Sequence, residues 1–149
     1  YLEEFKGSVF RQTMFAEFEL KAHEMAEKGE PLTPESLCSL YHGLLEQYFG
    51  PAVEIDPYMD WEWARIPHFY SAFYVFKYAT GFSAAAAISR RLLDGQGWDS
   101  YLAFLGAGGS DYPAETLKRA GVDMSTPEPM RIALKEFASL VDDLAALMP

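Results

Sequence analysis

Apolar residues recur along this chain at spacings of three to five, the period of amphipathic helices, and no alternating strand pattern lasts more than a few residues. Leu2, Phe5, Val9, Met14, Phe18 and Met25 predict one long helix over residues 2–29, stopped by Gly29 and Pro31. Phe10 and Phe15 add a second apolar face to its first half. Those aromatics are therefore expected either exposed as a large apolar patch or covered by another copy or another chain. Thr33 is placed to cap the next helix, with Pro34 at its first position and Ser36 close by. That helix runs through Leu37, Leu40, Tyr41, Leu44, Leu45 and Tyr48 to Gly50-Pro51. Residues 50–60, with Pro51, Pro57 and three acids, read as a connecting loop.

Trp61, Trp63 and Ile66 lead into the stretch from Pro67 to Gly81, which predicts a central helix over 67–94. Proline suits a first helical turn, where its missing N–H has no partner in any case. Ala84 to Ala87 give that helix a face small enough for close helix contact. Shorter helices are expected at about 97–106 and 113–119, and a last amphipathic one from near Thr126 with Ile132, Leu134, Phe137, Leu140, Val141 and Leu144. The whole reads as all-α, one helical unit over residues 1–149 without internal repeat or linker.

On one helix, Tyr70, Tyr74 and Tyr78 follow i, i+4, i+8 spacing and share a face beside His68. Buried phenols need partners, so such a ladder implies a polar cleft. Phenolic donors and an imidazole suit binding and polarising a carbonyl, such as that of a peptide bond. Aromatic stripes at helical spacing also serve as plain packing, and spacing by itself does not choose.

Composition narrows the classes. Half of the 149 residues are apolar and 15% aromatic, enough for a core. A net charge of −10 argues against a nucleic-acid surface. No run of eighteen apolar residues suggests a membrane span. The single Cys38 cannot make an internal disulfide, so the expected compartment is the cytoplasm; its apolar surroundings read as packing.

Three further strings invite chemistry. His23-Glu24-Met25-Ala26-Glu27 puts His23 and Glu27 on one face, a possible metal pair, but it lies among charges with no clear third ligand. It reads as a solvated face, and no metal ligand is expected here. Gly106-Ala107-Gly108-Gly109-Ser110 follows no strand and lacks a Lys-Ser/Thr ending, so a turn explains it better than a phosphate cradle. Its backbone N–H groups can still border a cleft. Asp56, Asp60 and Glu62 cluster before the tyrosines, as solvated acids or supports for a helix start.

Longer strings carry a resemblance. Phe10-Arg11-Gln12-Thr13-Met14-Phe15-Ala16-Glu17-Phe18-Glu19, Trp63-Ala64-Arg65-Ile66-Pro67-His68-Phe69-Tyr70, Tyr78-Ala79-Thr80-Gly81-Phe82-Ser83-Ala84-Ala85, Gly108-Gly109-Ser110-Asp111-Tyr112-Pro113 and Ala120-Gly121-Val122-Asp123-Met124 run through nearly the whole chain. In this order they resemble the C-terminal portion of oligoendopeptidase F and its relatives, zinc-dependent metallo-oligopeptidases of the thimet oligopeptidase class.

The resemblance implies a part of a larger helical zincin-type peptidase that hydrolyses short peptides. His68, Tyr70 and Tyr74 would then bind substrate and stabilise the oxyanion, with Tyr78, Gly108 and Gly109 as substrate contacts. Phe76 stands where relatives often show tyrosine. The family holds zinc through H-E-x-x-H, which is absent here, so the zinc-binding helices are expected upstream. Opening at Tyr1 within a helical pattern, the chain reads as a fragment, inactive alone, binding no zinc itself. Its expected partners are an oligopeptide, the rest of the peptidase chain and, through exposed apolar faces, another copy. The other class left open is a non-catalytic helical interaction module with a tyrosine-lined groove.

Overall fold

The fold is taken from a computed structural model, which describes residues 1–148. Among these residues all regular structure is helical and no strand occurs. The helices are α1 (Leu2–Phe5), α2 (Arg11–Glu27), α3 (Pro34–Phe49), α4 (Lys77–Leu93), α5 (Trp98–Ala107), α6 (Pro113–Arg119) and α7 (Glu128–Leu147).

The expected first helix is present but not regular. A π segment, Lys6–Phe10, joins α1 to α2, and the helix ends at Glu27. Thr33 caps α3 as expected. Its side chain accepts the Ser36 N–H at 3.2 Å, and the Ser36 hydroxyl accepts the Thr33 N–H at 3.0 Å, closing a capping box. The loop expected over 50–60 gives way at Pro57 to a 3₁₀ segment, Pro57–Arg65, capped by Asp56, whose carboxylate accepts the Tyr58 N–H at 2.9 Å.

Contacts group the chain into two compact units. The first to consider is Phe10–Tyr78. Its core is Met14, Phe15 and Phe18 of α2, Tyr41, Leu44 and Leu45 of α3, and Ile66 and Val75 from the segment beyond. Each fully buried side chain of this size contributes about 1.5–3 kcal/mol. Tyr41 has no exposed surface, yet its hydroxyl donates to Glu62 Oε2 at 2.8 Å. Burial first, and then that bond, push its phenol well above the ordinary range. Glu62 also accepts from Arg11 and from Arg65, and His42 Nδ1 lies 2.8 Å from Asp60 Oδ1. All three acids of the cluster thus serve structure: Asp56 caps the Pro57–Arg65 segment, Asp60 ties it to α3, and Glu62 ties it to both α2 and α3. Cys38 is half-buried and accepts the Trp63 indole N–H at 3.5 Å, a packing role.

The second unit joins Tyr1–Val9 to the chain from Ala79 onward. Phe5, fully buried, stacks on Phe137 of α7 at 4.6 Å and meets Phe82 edge-on at 5.2 Å. Ala84, Ala87 and Ile88 pack with Ala120 and Val122, which follow α6, so the small side chains of this run meet the chain beyond a helix end. Arg91 crosses the start of α5 and the end of α6. A Cβ added to Gly121, where φ is +83°, would lie 2.7 Å from the Arg91 guanidinium carbon.

The first-helix aromatics correct one expectation. Phe5 and Phe15 are buried within the chain itself, at 0% and 2% exposure, and Phe10 is half-buried. No large patch of these rings is left for another copy, because each end of the helix feeds a core of its own unit.

Candidate active site

Ile66 precedes a proline and takes the extended backbone that proline imposes on its predecessor, with φ −79° and ψ 109°. Pro67 then starts a single 3₁₀ turn, Pro67–Tyr70, which ends at Ser71. The helix expected over 67–94 begins only at Lys77. Between them the chain advances in three-residue turns, Ser71 N–H to His68 O at 3.1 Å, Tyr74 N–H to Ser71 O at 3.1 Å and Lys77 N–H to Tyr74 O at 3.2 Å. Phe73 interrupts helical geometry with φ +54°, a left-handed conformation rare for a bulky residue. Its N–H donates to Glu19 Oε1 at 2.7 Å. Val75, fully buried, anchors the far side. The three tyrosines therefore do not form a ladder on one helix.

The turns nonetheless gather three of the six expected residues. His68 stacks on Tyr74 with centroids 5.9 Å apart and planes at 12°, and meets Tyr78 edge-on at 5.2 Å. Tyr74 and Tyr78 meet at 5.8 Å and 81°. His68 Nε2 lies 3.1 Å from the Tyr78 hydroxyl. Nδ1 of the same ring is buried without a partner. An orphaned buried N–H is harder to accommodate than a bare ring nitrogen, so we assign the proton to Nε2, donating to the Tyr78 oxygen. The Tyr78 hydrogen then points to another acceptor. Hydrogen bonding with Tyr74, and then loss of water, raise the Tyr78 phenol above its usual 10, so it remains a donor at neutral pH.

Tyr70 lies outside this cluster, 88% exposed. Gly108 and Gly109 form the turn after α5, with Gly108 at φ +51°, and an added Cβ would meet nothing within 4 Å at either. Two residues not singled out from the sequence join the site. Lys77 places its ammonium 5.1 Å from the Tyr74 ring centre, a cation–π contact, and Glu19 holds Phe73. Lys77 lies within the tyrosine spacing, so its nearness was readable; Glu19 gave no local signal, since it acts across 54 positions.

Two cavities are lined by other residues. One of about 390 Å³ is bordered by His42, Glu46, Gly50, Pro51, Val53 and Ile55. The other, about 730 Å³, lies between α4 and α5 against Ile88, Leu92, Trp98, Tyr101 and Phe104. Neither includes His68 or the tyrosines; Tyr74 and Tyr78 are partly open to solvent, at 38% and 40% exposure.

His23 donates through Nδ1 to the Glu19 carbonyl oxygen at 2.8 Å, and its ring lies 4.5 Å from that of Phe73. Among the described residues no three His, Cys, Asp or Glu side chains converge to hold a metal ion. The donor set for zinc does not fit here. No helix among them is long and apolar enough to cross a membrane.

Comparison with known proteins agrees with this architecture. The chain is 52% identical over 149 residues to oligopeptidase PepF of Bacillus subtilis (strain 168), covering 99% of this chain and 22% of that protein. It is 46% identical to the chromosomal oligoendopeptidase F of Lactococcus lactis subsp. cremoris, over 99% of this chain and 25% of the relative. The crystal structure of oligoendopeptidase-F from Enterococcus faecium superposes with TM-score 0.96 at 50% identity, covering 99% of this chain and 29% of that one. A putative peptidase from Chlamydophila abortus follows at TM-score 0.88 and 43% identity, over 97% of this chain and 24% of that one. The chain thus spans about a quarter of the length of these relatives. The model of peptidase family M3 matches residues 2–136, and with this helical architecture and these relatives the chain belongs to that family.

Proposed function

We propose that this chain is the substrate-contacting part of a peptidase that hydrolyses short peptides, with His68, Tyr74 and Tyr78 meeting the carbonyl oxygen of the bond being cut. The observation that carries the reading is the His68 Nε2–Tyr78 hydroxyl bond at 3.1 Å within an aromatic cluster open to solvent. With imidazole donating to the phenol oxygen, the phenol hydrogen is left for Tyr74 and, once a peptide is seated, for its carbonyl oxygen. Such preorganised donors favour the charge that grows on a carbonyl oxygen as it turns tetrahedral. Lys77 adds a positive field beside Tyr74. Tyr70, exposed next to the cluster, and the Gly108-Gly109 turn are proposed as contacts to the peptide chain.

The nucleophile and its activation do not come from these residues. The zinc implied by the family resemblance has no donor set among the described residues, and on this reading residues 1–149 alone hydrolyse no peptide. Exposed Leu93, Trp98, Leu102 and Leu105 suit cover by the rest of the peptidase chain or by a second copy. The half-buried thiol of Cys38 suits the cytoplasm as its compartment.

The test is steady-state hydrolysis of a quenched fluorescent peptide by the full-length protein. His68→Ala is expected to lower kcat at least about tenfold with a smaller change in KM. Wild-type turnover in His68→Ala would overturn the proposal.

A further inference from the structure

Glu19 is a carboxylate at 5% exposure that the proposed chemistry does not use. Burying such a group is costly unless it is hydrogen-bonded. Its Oε1 accepts the Phe73 N–H at 2.7 Å, and Phe73 is the one non-glycine residue with positive φ among those described. A bulky residue held there is strained and persists only where its surroundings enforce it. The surroundings are on the page. Glu19 grips the N–H, the His23 ring lies 4.5 Å from the Phe73 ring, and Val75 is fully buried two residues on.

Tyr74 sits between those two anchors. The direction in which it leaves the backbone is set by the turn at Phe73, and that direction lays its ring on His68. The hydrophobic pattern of this stretch favours continuous helix from Pro67 onward. A helix through Phe73 would keep φ negative and withdraw its N–H from Glu19 into the helical ladder. Tyr74 would then leave the backbone in another direction.

We propose that Glu19 is a positioning residue for the His68–Tyr74–Tyr78 cluster, holding the Phe73 backbone in the left-handed conformation that keeps Tyr74 against His68. This rests on the peptidase reading of that cluster. Glu19 touches no substrate; it acts through the main chain of residue 73.

The experiment uses the full-length protein and the fluorescent peptide assay, with Tm recorded for every variant. Glu19→Gln retains an oxygen acceptor and is expected within about threefold of wild-type kcat. Glu19→Leu fills the space without an acceptor and is expected to lower kcat at least about tenfold while KM moves less than about threefold. Adding Phe73→Gly to Glu19→Leu should restore at least about threefold of that loss, since glycine holds a positive φ unaided. A merely structural role gives no such rescue. If Glu19→Leu fails to fold, Glu19→Asp, one methylene shorter, replaces it with the same expected fall and rescue. Wild-type kcat in Glu19→Leu, or a loss that Phe73→Gly leaves unchanged, overturns the inference while His68→Ala still loses activity. Wild-type turnover in His68→Ala removes the peptidase reading and this inference with it.

Discussion

His68 Nε2 lies 3.1 Å from the Tyr78 hydroxyl, joining a 3₁₀ turn to the first turn of α4. Nδ1 of the same ring is buried without a partner, so the ring's one hydrogen bond is on its Tyr78 side. In the full-length protein Tyr78→Phe is expected to lower kcat about tenfold or more, the cost typical of one preorganised donor. Tyr70→Phe, at a position 88% exposed and outside the cluster, should cost less. Peptide hydrolysis kinetics with both variants check the order. Equal losses would return Tyr70 to the centre of the site.

Residues 1–149 expressed alone are expected to hold no stoichiometric zinc and to release no peptide fragments. No three ligating side chains converge among the described residues. Metal analysis after gel filtration, with a peptide assay, decides it; one zinc per chain lost on His23→Ala would refute it.

The His42–Asp60 pair predicts a pH dependence of stability. The bond to Asp60 holds the His42 imidazole above its usual 6.5, with Glu46 adding in the same direction. A histidine whose folded pKa is raised stabilises the fold fully below the unfolded value, and that contribution fades as pH rises through the folded value. Asp60→Asn should therefore lower Tm most between about pH 5 and 6.5, and progressively less above it. Thermal unfolding of the full-length protein across that range tests the sign; a gap that widens toward pH 8 would contradict it.

Gly121→Ala should destabilise by about 1–3 kcal/mol, since φ is +83° and the new Cβ would lie 2.7 Å from the Arg91 guanidinium. Combining it with Arg91→Ala relieves the clash but not the backbone strain. The two changes should then be less than additive in a denaturation cycle.

The legible part of the fold is the part set by local pattern. Thr33, Pro34 and Ser36 announce α3, and Pro113 opens α6 where expected, because caps and prolines act within one turn. The stretch from Phe69 to Phe76 carries apolar spacing that fits a helix, and it is not one. What overrides it is a carboxylate in α2, distant in sequence, and a left-handed Phe73 that no local rule anticipates. The site shows the same division. His68, Tyr74 and Tyr78 were named from the residues and do come together, though by turns rather than helical stacking. Tyr70 follows the same spacing and is left outside, since its place depended on the helix that does not form.

A side chain that grips a main-chain amide is indifferent to which residue carries that amide. Divergence should therefore fall unequally on the two ends of the Glu19–Phe73 bond. Position 73 can drift toward glycine or asparagine, which accept the left-handed region readily. Proline there would abolish the donor. Position 19 has almost no latitude, because aspartate is too short and only glutamine keeps the reach. The constraint written into this turn is thus carried by a residue 54 positions upstream of it.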